Sequence, residues 1–181
     1  MPRMLGPLPV VAPELAWLQL AAALTLDELV VAGDHLVRRK RALSTLDTLA
    51  GAVAAAAGHR NVALAGRAIR DIRAGTDSPP ESWVRLILVR AGLPEPLVGH
   101  TVTHDGYWVG TPDLAYPEQR IAIEYQGSGH RDRDVFEDDI DRLERFHAAD
   151  WQVLQVTARQ LRDPARLVSR VDFALRSRAP R

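Results

Sequence analysis

Asp113, Glu124 and Gln126 are the residues of this sequence whose types and spacing could do chemistry together. They sit in the stretch Pro112-Asp113-Leu114-Ala115-Tyr116-Pro117-Glu118-Gln119-Arg120-Ile121-Ala122-Ile123-Glu124-Tyr125-Gln126-Gly127. Leu114, Tyr116, Ile121, Ile123 and Tyr125 suit strands, and Pro117 with its polar followers breaks the run, so the stretch reads as two short strands and a turn. A loop from Pro117 to Arg120 pairs Tyr116 with Ile121, Ala115 with Ala122 and Leu114 with Ile123, and sets Asp113 opposite Glu124. Opposed residues of an antiparallel pair have Cβ atoms roughly 4.5–5.5 Å apart. Carboxylates that close repel unless a cation or a proton lies between them. Side chains alternate with period two, so Gln126 shares the face of Asp113 and Glu124, while Leu114, Ile123 and Tyr125 take the other. The chemistry is that of a divalent-metal site on a β-hairpin.

The elements that must position this hairpin follow from local signals. Ser78-Pro79-Pro80-Glu81 is a strong helix start, with serine at the cap, proline in the first turn and glutamate three residues on. That helix carries Trp83, Val84, Leu86, Ile87 and Val89 and stops at Gly92-Leu93-Pro94. Leu97 to Thr103 reads as a strand, His104-Asp105-Gly106 as a tight turn and Tyr107 to Gly110 as the returning strand. After the hairpin come a loop with His130 and Arg131, a helix from Val135 to Ala149 bearing Phe136, Ile140 and Leu143, and an apolar strand from Trp151 to Val156 that reads as interior. Thr157 to Leu161 reads as a turn, and Asp163-Pro164 opens a last helix ending near Arg178. Trp83, Trp108 and Trp151 are expected in the core. The order implies an α/β fold whose mixed sheet is flanked by helices.

Residues 1–75 read as a separate N-terminal helical segment, and 76–181 as the domain that carries the site. Prolines keep the first twelve residues extended and loosely held. Helices follow from Glu14 to Leu24, from the capping box Thr25-Leu26-Asp27-Glu28, from Ser44-Thr45 to Ala57, and from Asn61 to Ala74. Arg38-Arg39-Lys40-Arg41 either complements a helix C-terminus or forms a nucleic-acid patch. The 23 basic and 23 acidic residues cancel, so any nucleic-acid surface must be local. With no cysteine there are no disulfides or thiolate metal sites, which fits a reducing compartment. No apolar run reaches the ~18–20 residues of a membrane span, and the start lacks the pattern of a signal peptide. A cytoplasmic location and no membrane partner are therefore expected.

Taken as an ordered set, several motifs resemble the PD-(D/E)xK nuclease superfamily. They are Ser78-Pro79-Pro80-Glu81, Ala91-Gly92-Leu93-Pro94-Glu95-Pro96, Pro112 to Pro117, Ile123-Glu124-Tyr125-Gln126-Gly127, His130-Arg131, Asp139-Ile140-Asp141-Arg142 and Trp151-Gln152-Val153-Leu154. More narrowly they resemble its very-short-patch-repair-endonuclease-like family, widespread in actinobacteria, over about Ser78 to Leu175. The resemblance implies a restriction-endonuclease-like fold and a nuclease hydrolysing DNA phosphodiester bonds. It implies Asp113 and Glu124 as metal ligands, Glu81 as a third acid, Mg²⁺ or Mn²⁺ as the ion, and His130 acting on a water or on the scissile phosphate. Arg131, Arg142, Arg159 and Arg162 would contact DNA. Many such proteins begin with a winged helix like that of abortive-infection antitoxins. This chain has no room for one and resembles a shortened member or a fragment.

Gln126 departs from the superfamily, which usually has lysine there. Lysine brings a positive charge to nucleophile and phosphate, whereas glutamine orients a water through hydrogen bonds alone. This keeps a second function in view: a catalytically silent nucleic-acid- or protein-binding module of a toxin–antitoxin or defence system. Other residues also have two readings. Asp113 could merely end a strand, Glu81 is what a capping box requires, His130 could be solvated surface, and Asp138 to Arg145 could be a solvated helix face. The arginines from Arg159 to Arg181 form the clearest basic surface, as phosphate contacts or as a solubilising tail.

Overall fold

A computed structural model of the protein describes residues 3–127 and 133–178. The chain divides into two units, residues 1–82 and 83–181.

The first unit opens with a hairpin of β1 (Arg3–Leu5) and β2 (Leu8–Val10), so the extended start has a strand pairing that the sequence reading does not include. Gly6 has φ of 60°, a conformation favourable for glycine, and Pro7 fixes the second turn residue, so the dipeptide closes a two-residue turn. Four helices follow: α1 (Pro13–Leu20), α2 (Leu26–Leu36), α3 (Leu46–Ala55) and α4 (Val62–Asp71). α1 stops four residues short of the expected Leu24, because Thr25 is committed to starting α2. Its side chain accepts from the Glu28 N–H, and Glu28 reaches back to the Thr25 N–H at 2.8 Å. Trp17, Leu29, Val30, Leu49, Ala65, Ala68 and Ile72 form the buried centre of this unit. Gly33 is required where it stands, since a Cβ there would overlap the Ile72 side chain.

α5 (Pro79–Arg90) spans the division between the units, and from Trp83 onward it belongs to the second. The strands that follow are β3 (Leu97–Val98), β4 (Val102–His104), β5 (Tyr107–Gly110), β6 (Leu114–Tyr116) and β7 (Ile121–Gln126). Then come α6 (Arg133–Ala148), β8 (Gln152–Thr157), α7 (Ala158–Leu161) and α8 (Pro164–Ser177). The sheet order is β3-β6-β7-β8, antiparallel except for the parallel pair β7–β8, so the expected mixed α/β architecture is present. Val84 and Leu88 of α5 and Leu167, Val171 and Ala174 of α8 cover one face through Leu114, Ile121, Ile123, Leu154 and Val156. The other face packs Ala122 and Val153 against Phe146 and Ala149, together with Val102 and Val109.

Four expectations need correction. The predicted strand Leu97 to Thr103 is two strands in different sheets, parted at Gly99, whose φ of 64° turns the chain. Among the described residues β8 pairs only with β7 and is therefore an edge strand, its apolar run explained by cover on both faces. Thr157 to Leu161 holds a short helix, because Thr157 and Gln160 form a capping box. Trp108 and Ile140 are 60% and 41% exposed, since the two-stranded β4–β5 ladder and α6 each bury only one side. Among the described residues, no helix is long and apolar enough to cross a membrane.

Candidate functional site

The hairpin β6–β7 has the register that its sequence implies: Tyr116 with Ile121, Ala115 with Ala122 and Leu114 with Ile123. One step further lie Asp113 and Glu124. β6 begins only at Leu114, so the main chain of β7 beyond Ile123 has no strand partner on that side. Asp113 fills this place with its side chain, Oδ2 accepting from the Tyr125 N–H at 2.7 Å. The carboxylate is thereby held at the end of the ladder, beside the residue that follows Glu124. Tyr116 anchors the hairpin at the other end. Its hydroxyl donates to the Pro94 carbonyl at 2.8 Å, and burial, with Glu95 nearby, holds its pKa far above the ordinary phenol value.

Glu124 lies in the middle of the sheet, 8% exposed, paired with Gln155 of β8. A carboxylate this buried requires compensation of its charge. Arg142 of α6 supplies it, with Nη2 2.6 Å from Glu124 Oε1. The same guanidinium donates to the Thr111 carbonyl at 3.1 Å and lies 5.9 Å from the centre of the Phe146 ring. One side chain thus ties α6 to the acid on β7 and to the segment that delivers Asp113. Gln126 closes β7 opposite Thr157, half-buried and in register with Glu124 two residues earlier.

Glu81 belongs to the first unit, where Oε2 accepts from the Asp77 N–H and Oε1 from the Ser78 hydroxyl, both at 2.7 Å. Both oxygens therefore serve the start of α5. His130 and Arg131 lie outside the described residues. Arg159 lies in α7, and Arg162 is the exposed C-cap residue of that helix. Arg159 lines a cavity together with Arg166 and Arg170, two residues that the sequence counts in its basic segment without separating them. Their i,i+4 spacing on α8 was the available signal.

Asp113 and Glu124 offer oxygen donors of the kind that Mg²⁺ and Mn²⁺ take. Each already serves an internal donor, so a cation at Glu124 must share or displace Arg142. Among the described residues, no group of three or more histidine, aspartate, glutamate or cysteine side chains is placed to hold a metal ion. A centre here would therefore combine the two acids with main-chain oxygen and water.

The chain is 27% identical over 148 residues to an uncharacterized protein of Mycobacterium tuberculosis strain H37Rv, and equally to one of strain CDC 1551. Each alignment covers 75% of this chain and 55% of the relative, so the chain spans little more than half the length of the curated proteins it matches. No family model matches it, and neither does any solved structure.

Proposed function

We propose that this is a divalent-metal-dependent endonuclease-like protein of the cytoplasm that hydrolyses DNA phosphodiester bonds. The observation that carries the reading is the hairpin register, which delivers Asp113 and Glu124 to adjoining positions at the end of β6–β7. Both acids would ligate Mg²⁺ or Mn²⁺, and the bound ion supplies Lewis acidity to the phosphate and to a water. The Tyr125 N–H holds the Asp113 carboxylate at the end of the ladder, which restricts its orientation. Gln126 orients the attacking water by hydrogen bonds and contributes no charge. Arg142, which pairs with Glu124, would be available to the phosphate if a bound ion took over the charge of that acid. The test is nicking of supercoiled plasmid by the purified chain in Mn²⁺. Cutting is expected, and Asp113→Ala abolishes it; cutting that survives the substitution overturns this assignment.

One observation favours the second reading, a silent nucleic-acid- or protein-binding module of a toxin–antitoxin or defence system. The Arg142–Glu124 pair neutralises the acid without a metal. Calorimetry with Mn²⁺ separates the two, since the silent module gives no binding heat that Glu124→Gln removes.

A further inference from the structure

β8 is the outer strand of the sheet, and its Gln155 and Thr157 stand in register with Glu124 and Gln126 of β7. A cavity of about 670 Å³ opens beside these two residues, between the end of β8 and the helices α7 and α8. That volume lies within the roughly 300–1,000 Å³ usual for small-molecule sites. Its lining carries three arginines, Arg159, Arg166 and Arg170, against one carboxylate, Asp163.

The four charged groups are differently engaged. Asp163 Oδ1 accepts from the Arg166 N–H at 3.2 Å and so caps α8. Arg170 Nη1 donates to the Gln155 carbonyl at 2.8 Å, which fixes that guanidinium against the outer edge of β8. Arg159 and Arg166 are exposed, and among the described residues neither has a carboxylate partner. Three guanidiniums around one cavity repel each other and focus a positive potential into it. An anion relieves that repulsion. The fork of an arginine matches the oxygens of a phosphate in two parallel hydrogen bonds, and Arg170 is held at the cavity by its bond to Gln155. Gln155 and Thr157 add polar groups and no apolar floor, which disfavours a hydrophobic ligand.

We infer that this cavity is a phosphate-binding subsite that takes a backbone phosphate of the nucleic-acid strand whose scissile bond lies at Asp113 and Glu124. The inference rests on the nucleic-acid reading of that pair, and strand pairing supplies the link between them. Glu124 and Gln155 are neighbours across β7–β8, as are Gln126 and Thr157.

The test is equilibrium binding of a fluorescent duplex to the full chain in EDTA, so that neither metal nor cleavage contributes, over a series of NaCl concentrations. In Arg159→Gln/Arg166→Gln, both altered side chains are exposed, and Arg170 with its strand contact is left in place. The salt slope of log K is expected to shrink by about 0.9, the share of the one phosphate that the subsite takes, equally for unrelated sequences. An unchanged slope, or no DNA binding by the unaltered chain, overturns the subsite. So does saturable binding of inorganic phosphate that DNA does not displace, which would mark a site for a free anion. A reduced slope without cleavage in Mn²⁺ leaves the subsite standing and removes the nuclease reading; cleavage with an unchanged slope does the reverse.

Discussion

At Glu124, a guanidinium holds the place that a divalent cation would compete for. The carboxylate is 8% exposed and Arg142 lies 2.6 Å away, so the acid is charge-balanced in the fold itself. Arg142→Met tests what this balance does. Methionine keeps an unbranched apolar stem against Phe146 and removes the charge, leaving Glu124 buried without its cation. The variant is expected to melt at a lower temperature in EDTA and to recover much of the loss in Mn²⁺. Its affinity for Mn²⁺, measured by calorimetry, is expected to rise about fivefold, matching the ~1 kcal/mol of a part-exposed ion pair. Weaker Mn²⁺ binding in the variant would mean that Arg142 supports the ion rather than competes with it. The register of the hairpin that carries the two acids was legible in the sequence, because the four residues from Pro117 to Arg120 set it. Arg142 as the counter-charge of Glu124 was not: the sequence offers it as a DNA contact or as part of a solvated helix face, since its role depends on which side of α6 meets the sheet.

The start of α5 shows how an element answers to its own ends. Ser78 and Asp77 both donate to Glu81, which occupies the two carboxylate oxygens in a box that organises the first turn. Glu81→Ala removes both bonds and is expected to lower stability by about 1 kcal/mol, read as a lower urea midpoint at an unchanged m-value. An unchanged midpoint would show that water replaces those bonds at no cost. Devices of this kind are local and were legible: the Thr25–Glu28 box, the Asp105-Gly106 turn with both φ positive, and the Asp163 cap of α8 all stand where the sequence puts them. What depends on a distant partner was not. The apolar run of Trp151 to Val156 looks the same for a central strand and for an edge strand covered on both faces. Gly99 reads as a tolerated interruption until its positive φ sends β3 and β4 to different sheets. Trp108 is a core residue by composition, yet it lies on the open side of a two-stranded ladder, with the Arg145 guanidinium 5.9 Å from its ring centre.

On the scale of the whole molecule, net charge is zero and the basic residues act where they are concentrated, toward the C-terminus. Arg178, just past α8, joins a cluster that binds together points far apart in the chain. It donates to the carbonyls of Arg120 and Asp150 at 3.0 and 2.9 Å and to the Asp150 carboxylate, which Arg120 also meets at 3.0 Å. The cluster thus connects the β6–β7 turn, the α6–β8 junction and the end of α8, and it steadies the hairpin that carries Asp113 and Glu124. The hydrogen bond and charge of Arg178, followed by those of Arg120, hold the Asp150 carboxyl below its ordinary value of 3.8. A depressed carboxyl pKa stabilises the folded state above the unfolded value, and that contribution is lost as pH falls through the folded one. Asp150→Asn isolates the charge, because asparagine tolerates the φ of 60° found there. The melting temperature of the variant is expected to lie below that of the unaltered chain at neutral pH. The gap should begin to narrow below the ordinary aspartate value and close only as pH falls through the lower folded-state one, beneath which both side chains are neutral. A gap of constant size down to strongly acid pH would assign the clamp to hydrogen-bond geometry rather than to charge.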